Sequence, residues 1–319
     1  MYEKQFISDA VKRSASTEVD RRKLFTMLGV AGAGVAAATV VGGGVANAAP
    51  ADAASDAATD AAVLNFALNL EYLEAEFYLR AVTGEGLTMK DAADSDGHAG
   101  AVYGGKKVPF KSQTIAKYAR EIARDEREHV RFLRAALGKS AVRRPAISLD
   151  AAFTAAATAA GVIKKGQKFD AFANDTNFLL AAFLFEDVGV TAYKGAAGLI
   201  SNKTYLDAAA GILAVEAYHA SAVRTTLYGM AEDHPSLFGT IQKLSNARDL
   251  LDNTKDDDQG IGSRTASNLV PTNHNSIAYG RTTGEVLNIV YLNTTTKSVS
   301  KGGFYPNGIN GAIKASSAK

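Results

Sequence analysis

The chain has 319 residues, a formal net charge of +2, an apolar content of 47% and no cysteine. Its length and apolar content allow one large domain or two small ones with a sizeable core. The near-balanced charge and the scattered basic residues argue against a nucleic-acid-binding surface, and the lack of cysteine excludes disulfides and thiolate metal ligands.

The first predicted element, residues 1–48, has the composition of an export signal. Arg21 and Arg22 precede a weakly apolar run, rich in Gly and Ala, that ends in small residues at 46–48. This order is typical of a cleavable signal, and the arginine pair indicates the twin-arginine route to the periplasm or the exterior. The run is just long enough to span a bilayer, so a membrane anchor is the alternative, although its glycine content disfavours a stable anchor.

Residues 61–234 predict a four-helix bundle, after an Ala- and Asp-rich linker at residues 49–60. Apolar residues recur at helical spacing, and no convincing alternation of period two precedes residue 260. The connection at 139–174 is too long for a tight turn, so we expect it to cross back along the bundle between the second and third helices. Residues 235–319 are expected to form an irregular extension packed on the bundle. The four helices are predicted at about 61–82, 113–137, 176–200 and 204–228.

Two of these helices carry a Glu-x-x-His pair among the residues that should face the core. The pairs are Glu126 with His129 on the second helix and Glu216 with His219 on the fourth. A spacing of three residues separates two side chains by about 60° around a helix, so both members of a pair can reach one point inside the bundle. Because a buried carboxylate without a partner is costly, the pattern needs an explanation beyond surface charge.

The other two helices each place a glutamate in apolar sequence, Glu71 on the first and Glu186 on the third. Glu74 shares the face of Glu71, so it is expected to be a further ligand or to lie beside the ligands. Tyr78 follows Glu71 by seven residues, and Tyr193 follows Glu186 by the same interval. Both tyrosines therefore lie about two turns along the faces of their glutamates, near enough to donate a hydrogen bond to a ligand or to meet an oxidant.

One Glu from each of two helices, with a Glu-x-x-His from each of the others, is the ligand set of a di-iron or di-manganese carboxylate site in a four-helix bundle. Four carboxylates and two neutral imidazoles balance the charge of two divalent cations. Oxygen and nitrogen ligands suit Fe and Mn and do not exclude Zn. The predicted metal ligands are Glu71, Glu126, His129, Glu186, Glu216 and His219.

Four stretches carry a family resemblance: NFALNLEYLEAEFYLRAV, NFLLAAFLFEDVGVTAYKGAA, SIAYGRTTGEVLNIVY and GGFYPNGINGAI. With them, the chain resembles the ferritin-like family of desiccation-related proteins over roughly residues 60–315. The resemblance implies a ferritin-like bundle in which Glu126 and Glu216 bridge two metals. It further implies that one metal is held by Glu71 with His129 and the other by Glu186 with His219.

Three functions are compatible with these features. The first is an exported di-metal protein that reacts with O2 or hydrogen peroxide in stress or desiccation protection, because two adjacent metals can exchange two electrons with either oxidant. The second is a protective protein in which metals stabilise the bundle without turnover. The third is iron storage, which needs a hollow oligomer that the long loops and the extension disfavour. The sequence predicts no nucleic-acid partner and leaves a homo-oligomer open.

Overall fold

A computed structural model describes residues 51–252 and 256–319, so the predicted export signal lies outside the described residues. The described residues are mainly α-helical, which confirms the predicted all-α fold. The helices are α1 (Ala51–Thr83), α2 (Met89–Ala92), α3 (Gln113–Leu137), α4 (Asp150–Ala159), α5 (Asp175–Ala196), α6 (Lys203–Asp233), α7 (Ser236–Asp252) and α8 (Thr283–Val290).

Two very short sheets join loops outside the bundle. One pairs β1 (Val102–Tyr103) in parallel with β2 (Ile147–Ser148), and the other pairs β3 (Gly262–Ser263) antiparallel with β4 (Ala266–Ser267). The first sheet connects the loop before α3 to the segment that precedes α4. Neither sheet forms a layer of the core.

The bundle consists of two antiparallel hairpins, α1 with α3 and α5 with α6. Asn65, in the first half of α1, donates a hydrogen bond of 2.9 Å to the carbonyl of Ser140, just beyond the end of α3. Helix α3 has one apolar face and one face rich in Arg and Glu, whereas α5 is buried on nearly all sides. A helix that is apolar all round belongs inside a core, so α5 lies between the other helices and the C-terminal extension.

The long crossover between α3 and α5 is confirmed, and it contains α4. Helix α1 starts about ten residues earlier than predicted, so residues 51–60 of the predicted linker form its first turns. Alanine favours helix there, and the buried Asp60 carboxylate accepts hydrogen bonds from the backbone nitrogens of Ser201 and Asn202, at 2.7 and 2.9 Å. These bonds attach the start of α1 to the connection between α5 and α6.

Two further helix boundaries differ from the predicted ones. Helix α5 starts one residue early because Asn174 caps it, its side chain accepting from the backbone nitrogen of Asn177. Helix α6 starts at Lys203 because Asn202 caps it, and it continues to Asp233. The cap satisfies backbone donors that the first helical turn leaves free.

The described part of the C-terminal extension contains two helices, α7 and α8. It contacts α1 through Tyr305, whose hydroxyl donates a hydrogen bond of 2.7 Å to the carbonyl of Asn69. It contacts α5 through Arg281, which donates to the Thr191 hydroxyl at 2.8 Å. Among the described helices, none combines the length and the apolar character needed to cross a membrane.

Candidate metal centre

The four long helices bring all six predicted ligands into one buried cluster. Each of the four glutamates is fully buried, and the two histidines are 9% and 6% exposed. Helix α1 supplies Glu71, α3 supplies Glu126 and His129, α5 supplies Glu186, and α6 supplies Glu216 and His219.

The first half of the cluster surrounds His129. Its Nδ1 lies 3.2 Å from Oε2 of Glu71, 3.5 Å from Oε2 of Glu126 and 3.8 Å from Oε1 of Glu216. These four residues offer ligand atoms that all lie within 4.8 Å of one another. Three carboxylates and one imidazole at this spacing can hold one divalent cation.

The second half surrounds His219. Its Nδ1 lies 3.0 Å from Oε1 of Glu126 and 3.6 Å from Oε2 of Glu186. Glu126 therefore presents one carboxylate oxygen to each half, as a bridging ligand does. The ligand atoms grouped around His219 do not include an oxygen of Glu216, so its bridging role stays a prediction.

Several cluster atoms make no hydrogen bond of suitable geometry with the described residues, although Nδ1 of His219 and Oε1 of Glu126 lie only 3.0 Å apart. The atoms without such a bond are both carboxylate oxygens of Glu126 and Glu216, Oε2 of Glu186 and Nδ1 of His219. Buried polar atoms are nearly always paired, and leaving a carboxylate oxygen unpaired in a core is costly. Two cations would supply the missing partners, so the residues present fit a pair of metal ions.

The protein alone places the glutamates in an unfavourable electrostatic environment. Burial raises the pKa of Glu71 to about 7 and that of Glu186 to about 8, although the adjacent histidines oppose the shift. Burial and then repulsion from Glu126 hold the pKa of Glu216 well above its ordinary value. Desolvation favours the neutral acid wherever no cation compensates the charge.

The surroundings of the two histidines favour the charged form of each imidazole. Burial alone would lower their pKa values, but the nearby glutamates raise the pKa of His129 to about 11 and that of His219 to about 10. Burial likewise acts to raise the pKa of Glu126, yet the two histidines lower it overall. Without metal, protons on the imidazoles supply the positive charge. Both imidazoles must release a proton from Nδ1 before that atom can bind a metal.

Two tyrosines connect the hairpins crosswise. The hydroxyl of Tyr78 on α1 donates to Oε1 of Glu186 on α5, and that of Tyr193 on α5 donates to Oε1 of Glu71 on α1. Each tyrosine thus contacts the glutamate of the opposite hairpin rather than the glutamate of its own helix. Burial, then the carboxylate it contacts, holds the pKa of each tyrosine well above 10, so both stay donors. One oxygen of each glutamate is held while the other faces a histidine.

Replacing Tyr78 with Phe is expected to weaken metal binding without abolishing it. The change removes the donor that orients Glu186, and losing a partner of this kind typically lowers metal affinity by about 10- to 100-fold. Titration of purified protein with Mn2+ measures the effect. Tyr291→Phe is the matched control, because it removes a buried tyrosine hydroxyl that donates to the Lys314 carbonyl in the extension. Equal affinities in all three proteins would contradict the orienting role.

Sequence reasoning did not single out two other residues beside the cluster. Oδ2 of Asp125 lies 3.4 Å from Nε2 of His219, where a carboxylate can orient a metal-binding imidazole. Gly189 packs directly on Glu216, since a Cβ atom there would lie 2.3 Å from its Oε2. The polar, charged setting of Asp125 looked like a solvated surface, and nothing in the pattern around Gly189 indicated close contact.

Glu74 is buried next to the cluster but belongs to neither group of ligand atoms. Its Oε1 would lie 3.4 Å from a Cβ atom on Gly189. Burial, followed by repulsion from Glu126 and Glu186, holds the pKa of Glu74 well above its ordinary value. The structure therefore places Glu74 beside the candidate ligands, in surroundings that favour its neutral form.

Comparisons with known proteins find relatives over most of the chain. Residues 59–229 match the ferritin-like domain family. The ferritin-like catalase Nec2 of Nesocodon mauritianus is 30% identical over 268 residues, which cover 79% of this chain and 83% of that protein. The desiccation-related protein PCC13-62 of Craterostigma plantagineum is 30% identical over 237 residues, which cover 69% of this chain and 74% of that protein. No solved structure matches the chain significantly. With this fold, this domain match and these relatives, the chain belongs to the ferritin-like family, as a relative of its desiccation-related members.

Proposed function

We propose that this chain is an exported di-metal protein that disproportionates hydrogen peroxide in stress or desiccation protection. The observation that carries the proposal is the buried cluster in which Glu126 offers one carboxylate oxygen to each of two groups of ligand atoms. The relative named a ferritin-like catalase supports peroxide as the substrate. A di-metal oxidase that uses O2 is the closest alternative chemistry.

The cluster provides the ligands that such a site requires. Glu71 and His129 would hold one ion, Glu186 and His219 the other, and Glu126 would contact both. A pair of Fe or Mn ions would supply two-electron exchange with peroxide, whereas Zn would not change oxidation state. The burial of all these side chains keeps bulk water out, which strengthens every charge interaction inside the site.

The reaction also needs a place to keep protons. Two hydrogen peroxide molecules give two waters and one O2, so one peroxide takes up two electrons and two protons and the other releases them. The protein must hold the released protons until the next peroxide arrives. Glu74 is a buried carboxyl group beside the candidate ligand Glu216, so we assign it to proton transfer. Tyr78 keeps Glu186 in position, and Tyr193 does the same for Glu71.

Protein loaded with Fe2+ or Mn2+ is expected to evolve one O2 for every two peroxide molecules consumed, as measured with an oxygen electrode. Glu186→Ala should lose this activity because it removes a ligand of the ion beside His219. Glu128→Ala, at an exposed position of α3, is the matched control and should retain it. Fully loaded protein that evolves no O2 would contradict the proposed function.

A protective protein without turnover is the second candidate, and the relative named a desiccation-related protein favours it. Metal ions that bind only the folded chain stabilise it in proportion to the logarithm of their concentration. The two candidates therefore differ in one result. A metal-dependent rise in melting temperature without O2 evolution supports the protective protein, whereas O2 evolution supports the peroxide-consuming one.

The proposed function also includes export, which rests on the N-terminal sequence. Arg21 and Arg22 precede the weakly apolar run typical of a twin-arginine signal. Replacing both with Lys is expected to keep the precursor in the cytoplasm, as measured by fractionation of cells that express the full-length chain. The single change Lys23→Arg, which leaves the pair intact, is the control. Normal export of the double variant would contradict this route.

A further inference from the structure

A small apolar cavity lies between the bundle and the C-terminal extension. Its volume is about 20 Å³, which is room for roughly one molecule the size of water. Helices α1 and α5 supply the inner wall, and α8 with Phe304 supplies the outer wall. The lining residues are Leu70, Leu73, Glu74, Leu184, Phe185, Val188, Gly189, Ile289, Val290 and Phe304.

The cavity meets the candidate metal centre at two of its lining residues. Gly189 contacts Glu216 so closely that a Cβ atom would lie 2.3 Å from its Oε2. Glu74 is the second shared residue. Its Oε1 would lie 3.4 Å from the same Cβ atom on Gly189. Gly189 and Glu74 therefore each line the cavity and lie beside the Glu216 carboxylate.

The chemistry of the lining selects the occupant. Glu74 is the one polar side chain among the lining residues, whereas a buried water needs two to four polar partners. Hydrogen peroxide, which both donates and accepts hydrogen bonds, would lose most of them on entering, at a high cost. Dioxygen makes no strong hydrogen bonds and so loses none on entering an apolar cavity. It is larger than water, but the volume of about 20 Å³ exceeds the roughly 10–15 Å³ that one water needs.

We propose that this cavity binds dioxygen and receives it from the carboxylate and histidine cluster. The inference rests on the proposed function, in which O2 is the product of peroxide disproportionation, and it adds a place for that product to go. It also gives the C-terminal extension a role, since Ile289, Val290 and Phe304 complete a wall that the four-helix bundle lacks. No covalent step occurs in the cavity.

Dissolved O2 is paramagnetic, so it speeds the relaxation of nearby methyl groups and can be located without turnover. Full-length, metal-free protein with labelled methyl groups should be studied by NMR under increasing O2 pressure. The methyl groups of Leu73, Val188 and Ile289 are expected to show relaxation enhancements several-fold larger than other buried methyl groups. Enhancements no larger than those elsewhere in the core would overturn the proposal.

A pair of matched substitutions tests the location. Val290→Leu adds one carbon to the wall of this cavity and should remove the excess enhancement at Leu73 and Ile289. Val162→Leu makes the same change at a second apolar cavity, of about 10 Å³, whose lining includes neither Glu74 nor Gly189. It should leave the enhancement intact. If Val290→Leu does not fold, Val188→Leu fills the cavity from the bundle side, and an unchanged enhancement in the folded variant would overturn the proposal.

The experiment separates failure of this inference from failure of the proposed function. Enhanced relaxation in the cavity without peroxide turnover would support the O2 site and reject the proposed activity. Peroxide turnover with no enhancement in the cavity would reject the O2 site and leave the activity standing. Neither result depends on the other, because the NMR measurement uses metal-free protein.

Discussion

Replacing Glu126 with Ala is expected to reduce the metal content from about two ions per chain to none, since ferritin-like sites of this ligand set hold two. Glu126 is the residue whose two carboxylate oxygens face different histidines, 3.5 Å from Nδ1 of His129 and 3.0 Å from Nδ1 of His219. Its removal therefore takes a ligand from both ions. Elemental analysis after loading with Fe2+ or Mn2+ and removal of free metal measures the outcome.

Three further variants make this experiment specific. Glu126→Gln keeps the volume of the side chain, so a loss of metal in both variants cannot result from a cavity. Glu71→Ala should remove the ion beside His129 first, because Glu71 belongs to that half of the cluster alone. Glu121→Ala, at an exposed position of the same helix, should bind metal normally. Two ions per chain in Glu126→Ala would show that the ligand assignment is wrong.

Replacing Arg281 with Ala is expected to lower the free energy of unfolding by about 3–5 kcal/mol, the usual cost of removing one partner of a buried ion pair. Arg281 is buried in the extension and donates to Asp252 at 2.5 Å, to the Thr191 hydroxyl at 2.8 Å, and to Asp258. Its loss removes one cationic partner from each of two buried aspartates and breaks a direct bond between the extension and α5. Urea unfolding, followed by circular dichroism, measures the difference.

Arg264→Ala is the matched control for this prediction. Arg264 lies in the same extension but is exposed, and exposed positions without such contacts usually change stability by no more than about 0.5 kcal/mol. If Arg281→Ala lowers the free energy of unfolding by less than about 1 kcal/mol, the loss is no larger than that of a surface ion pair, and the prediction is contradicted. The same unfolding curves would show whether the extension separates before the bundle, because two transitions would then replace one.

The arginine belongs to a buried network that joins the extension to the candidate metal centre. Arg224 and Arg248 both donate to Oδ2 of Asp187, at 2.7 and 2.8 Å, and Arg248 approaches Asp258 at 2.7 Å. Asp187 directly follows the candidate ligand Glu186 on α5. The extension therefore supports the part of α5 that carries a ligand, in addition to forming a wall of the apolar cavity.

Helix type and the candidate ligands could be predicted because both depend on local periodicity. A glutamate or histidine that recurs in register with leucines and alanines must face the interior, whatever the helix packs against. Glu126 with His129 and Glu216 with His219 were recognisable for this reason. Helix ends were harder to predict. Residues 51–60 lack a strong apolar stripe, and their helical conformation is supported by a distant contact between Asp60 and the connection before α6.

By itself, the sequence determined that the long elements are helices and that the candidate ligands Glu71, Glu126, His129, Glu186, Glu216 and His219 are buried with the apolar residues around them. Only the tertiary structure decided their partners, because periodicity fixes an angle around one helix axis but not the axial shift or rotation of the neighbouring helix. Tyr78 thus contacts Glu186 instead of Glu71, and Gly189 lies against Glu216. The attachment of Arg281 to α5 likewise joins residues that are 90 positions apart, so no local pattern could reveal it.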